Sequence, residues 1–217
     1  MRKPVDYSLY LVTDQSCLPT GVSLANAVEQ AIAGGVTLVQ LREKNLDSRA
    51  FYEQALQIKA ICHAQHVPLL INDRVDIALA IDADGVHVGQ SDLPADVARR
   101  LLGADKIIGV SARTVAQARQ AQTDGADYLG VGAVFATHTK HDAKTVDIAT
   151  FAAMRAAVDL PMVAIGGINA KTLPTLQNNL STAGVTADGI AVVSAILGAA
   201  DTRQAAADLK QSWLTHQ

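Results

Sequence analysis

Aromatic residues make up only 4% of the 217-residue chain, cysteine occurs twice, and no apolar run reaches the roughly 18 residues that a membrane-spanning helix needs. Cys17 and Cys62 are too few and too far apart for a disulfide framework or a thiolate metal site, and both read as buried or idle thiols. Cys62 and His66 have the spacing of one helical face, but no further ligand lies near them in sequence. The pair reads as helix surface rather than a zinc site. An excess of one charge sign is also missing: the net charge is -3 with 18% charged residues, which excludes a polybasic nucleic-acid platform and a disordered chain. The start Met1-Arg2-Lys3-Pro4-Val5-Asp6 meets Pro and Asp where a signal peptide needs an apolar stretch. These absences predict a cytoplasmic globular protein with neither nucleic-acid nor membrane partners.

What the chain does have is a 49% hydrophobic fraction supplied mostly by Ala, Val, Ile and Leu, the composition of buried parallel strands covered by small-faced helices. Short apolar segments recur at 8–12, 37–41, 68–72, 85–88, 107–110, 128–131, 162–165 and 189–193. Between them, helical spacing runs from near Ser23 to Gly34-Gly35 and over 48–65, 93–101, 115–123, 148–158, 170–178 and 202–213. The alternation is read as eight strands and eight helices, seven of the helices with a readable span, at roughly 27 residues per unit, which suits one crossover helix and short loops. A single-domain (β/α)8 TIM barrel over residues 1–217 is the expected fold. A doubly wound open sheet is the structural alternative; its nucleotide-binding versions want a Gly-rich turn after the first strand, where this chain has Thr13-Asp14-Gln15-Ser16.

A barrel places its chemistry at the C-terminal strand ends. Those ends read Gln40-Leu41-Arg42-Glu43-Lys44, Asn72-Asp73-Arg74, Gly89-Gln90-Ser91-Asp92, Ser111-Ala112-Arg113, Ala136-Thr137-His138-Thr139-Lys140, Gly166-Gly167-Ile168 and Val193-Ser194. Arg42, Lys44 and Lys140 direct cations toward one mouth, where phosphate oxygens are their natural partners. Asp73 and Asp92 are hard oxygen donors on adjacent loops and suit Mg2+ held partly by water and partly by a substrate's phosphates. On the far side, backbone N–H groups around Gly166-Gly167 and Val193-Ser194 can cradle a monophosphate, with Thr137 and Thr139 adding hydroxyls. Ser194 reads equally well as a helix cap. His87, inside a strand, reads as a satisfied structural imidazole, and His141 and His216 carry no signal.

This ordered set of segments, together with Ile71-Asn72-Asp73-Arg74, Gly109-Val110-Ser111 and Val192-Val193-Ser194-Ala195-Ile196, resembles the thiamine-phosphate synthase family over nearly the whole chain. The resemblance implies a transferase that joins 4-amino-2-methyl-5-(diphosphooxymethyl)pyrimidine to a thiazole ethyl phosphate, plain or carboxylated, and releases pyrophosphate with the help of Mg2+. It implies that Gln40, Leu41, Arg42, Glu43, Lys44, Asn72, Ser111 and Lys140 bind the pyrimidine diphosphate, with Arg42, Lys44, Ser111 and Lys140 acting in the reaction. Asp73 and Asp92 would hold one Mg2+, and Thr137, His138, Thr139, Gly167, Val193 and Ser194 would line the thiazole phosphate site. A homo-oligomer is left open. The family's loop usually reads Pro-Thr-x-Thr-Lys, and Ala136 stands here in place of the Pro, which predicts a looser loop that keeps its anion donors.

The expected mechanism is dissociative substitution at the pyrimidine's exocyclic methylene, the cations stabilising charge on the departing diphosphate. Glu43 is expected to position its neighbours, and His138 to supply backbone rather than shuttle protons. Two rivals are a thiazole tautomerase and a non-catalytic phosphate-ligand sensor on the same barrel. Neither requires the set Arg42, Lys44, Asp73, Asp92 and Lys140 together with a separate monophosphate pocket.

Overall fold

The computed structural model describes residues 4–137 and 145–215. Among them, eight strands close a parallel barrel in strict chain order: β1 (Leu9–Val12), β2 (Leu38–Leu41), β3 (Leu69–Asn72), β4 (Gly85–Val88), β5 (Ile107–Ala112), β6 (Tyr128–Gly132), β7 (Met162–Ile165) and β8 (Gly189–Val192). The (β/α)8 expectation holds, and every expected strand is present within two residues of its expected ends, the range over which strand limits are a matter of definition.

Strand alternation divides the apolar residues into two cores. Tyr10, Val12, Leu38, Leu70, Ile107, Tyr128, Val163 and Ala191 fill the barrel. Leu9, Leu11, Val39, Leu41, Ile71, Val86, Val110, Leu129 and Ala164 face outward and pack under the helices. Because only one residue in two points inward, a strand contributes one or two side chains to the interior, and polar ones there must find partners.

The helices are α1 (Leu24–Ala33), α2 (Ser48–Ala64), α3 (Val75–Ala80), α4 (Ala95–Leu102), α5 (Val115–Thr123), α6 (Ile148–Arg155), α7 (Leu173–Thr182), α8 (Ser194–Leu197) and α9 (Thr202–Leu214). Ser23, Asp47, Thr114, Asp147 and Asp201 cap five of them through their side chains, which explains why those starts are readable. The described residues hold nine α-helices rather than eight. The six residues of α3 had no expected span, being too few to show a period, and α8 is a single turn after β8. Helix α2 ends at Ala64, so His66 lies beyond it with φ of 57°, while Cys62 is buried in the outer core. Cys62 and His66 therefore do not share a helix surface; the chain turns before the second residue can align.

The barrel is tied shut beneath the strands. Asp6 accepts from the Ser8 backbone N–H at 2.9 Å and pairs with Lys210 of α9 at 3.4 Å, joining the approach to β1 to the last helix. No described helix is long and apolar enough to cross a membrane.

Candidate active site

A cavity of about 210 Å3 enters the barrel from the C-terminal strand ends, and a wider one of about 710 Å3 adjoins it over the loops after β1, β2 and β7. Gln40, Arg42, Ser111, Thr137, Gly167, Val193 and Ser194 line the inner cavity, and Arg42, Glu43 and Lys44 line the outer one. The fold thus brings most of the expected residues to one mouth. Leu41 is different: it follows Gln40, so its side chain points the other way, fully buried among the helix-facing residues, and only its backbone is left for a ligand. Asn72 is buried at the end of β3, on the inward parity. His138, Thr139 and Lys140 lie outside the described residues.

Neither Arg42 nor Lys44 is free. Arg42 pairs with Asp14 of the first loop at 3.1 Å, and its backbone N–H donates to the buried Thr13 hydroxyl at 2.9 Å. Its Nε is buried and finds no partner among the described residues, as does Glu43 Oε1 beside it. Burial pushes the Glu43 carboxyl up; Gln15 draws it down and Asp14 adds to the rise. Lys44 reaches over β3 to Asp73 at 2.5 Å.

Asp73 and Asp92 meet across adjacent loops. Asp73 adopts φ of 62°, rare for a residue with a side chain, and its carboxyl meets Lys44. Asp92 accepts from the Gly89 N–H at 2.8 Å, and a Cβ at Gly89 would lie 2.9 Å from the same oxygen, so the glycine leaves room for the carboxylate. Burial raises Asp73, but hydrogen bonds from Lys44 and Asp92 outweigh it and hold it below the usual range. Asp92 goes the other way, raised by burial and by Asp73. Two carboxyls that shift each other in this way are near enough for one cation to serve both. No group of three or more His, Cys, Asp or Glu with metal-holding geometry exists among the described residues, so such a cation would need its remaining ligands from water or substrate.

The opposite wall is backbone. Gly166 and Gly167 have φ of 103° and 67°, and a Cβ at Gly167 would meet Ala136 O at 2.6 Å and Phe135 Cβ at 2.7 Å. The Gly167 carbonyl accepts from the Thr172 hydroxyl at 2.8 Å, which fixes the turn. Val193, not Ser194, occupies the cap position of α8 and makes no side-chain cap bond, so the cap reading of Ser194 does not hold. The first N–H groups of any helix lack intrahelical acceptors, and here they belong to residues lining the cavity.

Sequence reasoning missed Asp14, which was read only as part of a turn lacking glycine, and the tyrosines Tyr10 and Tyr128, which look like ordinary core. Tyr128 has one readable signal, a glycine on a neighbouring strand. A Cβ at Gly109 would collide with the Tyr128 ring.

The family model described as thiamine monophosphate synthase matches residues 9–196. The chain is 55% identical over 209 residues to the thiamine-phosphate synthase of Ruminiclostridium cellulolyticum and 52% identical over 208 residues to that of Clostridium tetani, covering 96% of both chains in each case. Among solved structures it resembles the thiamine phosphate pyrophosphorylase of Pyrococcus furiosus, with a TM-score of 0.83, 36% identity and coverage of 97% of this chain and 96% of that one. With a family match that runs from β1 into α8 and relatives that agree over nearly their full length, the chain belongs to the thiamine monophosphate synthase family.

Proposed function

We propose that this barrel joins 4-amino-2-methyl-5-(diphosphooxymethyl)pyrimidine to 4-methyl-5-(2-phosphooxyethyl)thiazole or its carboxylated form, making thiamine phosphate and releasing pyrophosphate. The names of its relatives support the reaction, and the observation that carries it onto this chain is one mouth with two unlike anion sites. Charged side chains converge on one side, and glycine-rich backbone on the other.

On the charged side, Arg42, Lys44 and Lys140 take the diphosphate, with Gln40, Asn72 and Ser111 placing the ring and Glu43 positioning its neighbours. Asp73 and Asp92 would hold Mg2+, whose charge would relieve the repulsion between the two carboxylates and offset the charge of a bound diphosphate. Thr137, His138, Thr139, Gly167, Val193 and Ser194 hold the thiazole phosphate, mostly through backbone N–H groups.

The bond that breaks is the one between the methylene carbon and the diphosphate oxygen, and its electron pair leaves with the diphosphate. The amino-substituted ring spreads the positive charge left behind. Arg42, Lys44 and Lys140 stabilise the charge gathering on the leaving group. The thiazole nitrogen then donates its lone pair to the methylene carbon, with no covalent bond to the protein and no proton transfer at the bond-forming step. Incubation with both substrates and Mg2+ tests the reading: thiamine phosphate detected by chromatography supports it, and none formed under conditions where both substrates bind overturns it.

A further inference from the structure

Five side chains form an unbroken line of hydrogen bonds through the barrel. Gln40 Nε2 donates to the Tyr10 hydroxyl at 2.5 Å, and that hydroxyl meets the Tyr128 hydroxyl at 2.8 Å. Tyr128 in turn meets His87 Nδ1 at 2.8 Å, and His87 Nε2 meets the Ser111 hydroxyl at 2.9 Å. The line draws on β2, β1, β6, β4 and β5 in turn, and both of its ends open on the inner cavity. Two strand glycines clear its path. A Cβ at Gly109 would collide with Tyr128, and one at Gly130 would press on His87 Cε1 at 3.0 Å. The reaction described above gives no work to the three middle residues.

The line has a direction. An amide nitrogen only donates, so the Tyr10 oxygen accepts from Gln40 and its single proton goes to Tyr128. The Tyr128 proton then goes to His87 Nδ1. A neutral imidazole that accepts at Nδ1 carries its proton on Nε2, which donates to Ser111 and leaves the serine's own proton for the cavity. Burial holds both phenols protonated, raising each well above the ordinary phenol range. At the other end, the anchored amide leaves Gln40 Oε1 as an acceptor. An aminopyrimidine offers an N–H2 donor beside an acceptor ring nitrogen; its oxo counterpart offers the reverse.

We propose that Tyr10, Tyr128 and His87 are positioning residues, a one-way relay that holds His87 as the Nε2–H tautomer, presents an acceptor at Gln40 and a donor at Ser111, and thereby selects an amino- over an oxo-substituted pyrimidine. The substrate half of this inference rests on the proposed function; the tautomer half does not.

The test is a long-range proton–nitrogen correlation spectrum of the full-length, ligand-free protein labelled with 15N-histidine, the His87 signals being those lost in His87→Gln. The relay requires a bare Nδ1 and a protonated Nε2; a protonated Nδ1 means that the line runs the other way and overturns the proposal. Tyr128→Phe should release the tautomer preference. It should also lower kcat/KM for the pyrimidine diphosphate by roughly tenfold, through KM, with KM for the thiazole phosphate unchanged. Tyr10→Phe frees the Gln40 amide to turn over and removes the hydroxyl that directs the Tyr128 proton toward His87, so the tautomer preference should weaken and discrimination between amino and oxo pyrimidine diphosphates narrow. A packing role alone would alter stability without moving tautomer or discrimination, and that result also overturns the proposal. If the protein makes no thiamine phosphate, the proposed function fails, while the wild-type spectrum, taken without substrate, still decides the direction of the relay.

Discussion

Lys44 Nζ and Asp73 Oδ2 lie 2.5 Å apart, so a cation assigned to the leaving diphosphate is joined to a carboxylate assigned to the metal. Each neutralises the other, and both must change partners when a diphosphate and a divalent cation arrive together. The pair also explains why the mouth of a chain with net charge -3 is not an open cationic surface.

Removing Lys44 takes away charge stabilisation made mainly as the diphosphate departs. Lys44→Ala is expected to lower kcat by about a hundredfold, the scale of losing one preorganised donor to developing negative charge, with little change in KM for the thiazole phosphate. Steady-state kinetics on both substrates checks this; near-normal turnover removes Lys44 from the leaving-group role.

Asp92 is assigned to the metal and not to either organic substrate. Asp92→Ala should raise the Mg2+ concentration for half-maximal activity by at least the roughly tenfold that even an outer-shell partner costs. A titration that superimposes on that of the wild type contradicts the assignment.

Gly167 stands at φ of 67° with Ala136 O and Phe135 Cβ where a Cβ would go. Gly167→Ala should destabilise the fold by about 1–2 kcal/mol from the left-handed conformation alone, measured by thermal unfolding, and raise KM for the thiazole phosphate. An unchanged KM would place the monophosphate elsewhere.

Beneath the barrel, burial pushes the Asp6 carboxyl up, but hydrogen bonds from Ser8 and the charge of Lys210 more than offset this, so its folded value falls below the ordinary 3.8. A group depressed by folding stabilises the native state at pH values above its unfolded pKa, and the effect is lost as pH falls through the folded value. The stability advantage of wild type over Asp6→Asn should therefore be full at pH 6 and shrink below about pH 4. Urea unfolding at several pH values reads it, and a difference independent of pH would mean that Asp6 acts through packing.

Much of this was legible in the chain because the barrel imposes two simple rules. Strand segments such as Gly85–Val88 and Met162–Ile165 are short, apolar and bounded by turn residues, so their number and order could be read directly. Chemistry follows the strand ends, which places Arg42, Asp73, Asp92 and Ser111 at one rim before any coordinate is known. The same alternation shows that Leu41 must turn away from Gln40. What sequence does not carry is pairing between loops: Asp14 with Arg42 and Lys44 with Asp73 are separated by 28 and 29 residues, and no local pattern links them. The relay was hidden for a related reason. Tyr10 and Tyr128 are 118 residues apart and each looks like core; only Gly109, beside Tyr128, and Gly130, beside His87, hint at the line.

The central claim is that one mouth couples two phosphorylated substrates through loss of diphosphate, and pyrophosphate release by the purified protein tests it most directly. The account predicts release only when the pyrimidine diphosphate, the thiazole phosphate and Mg2+ are all present, in step with thiamine phosphate formed. Release that proceeds equally well without the thiazole phosphate, or none with all three present, would contradict it.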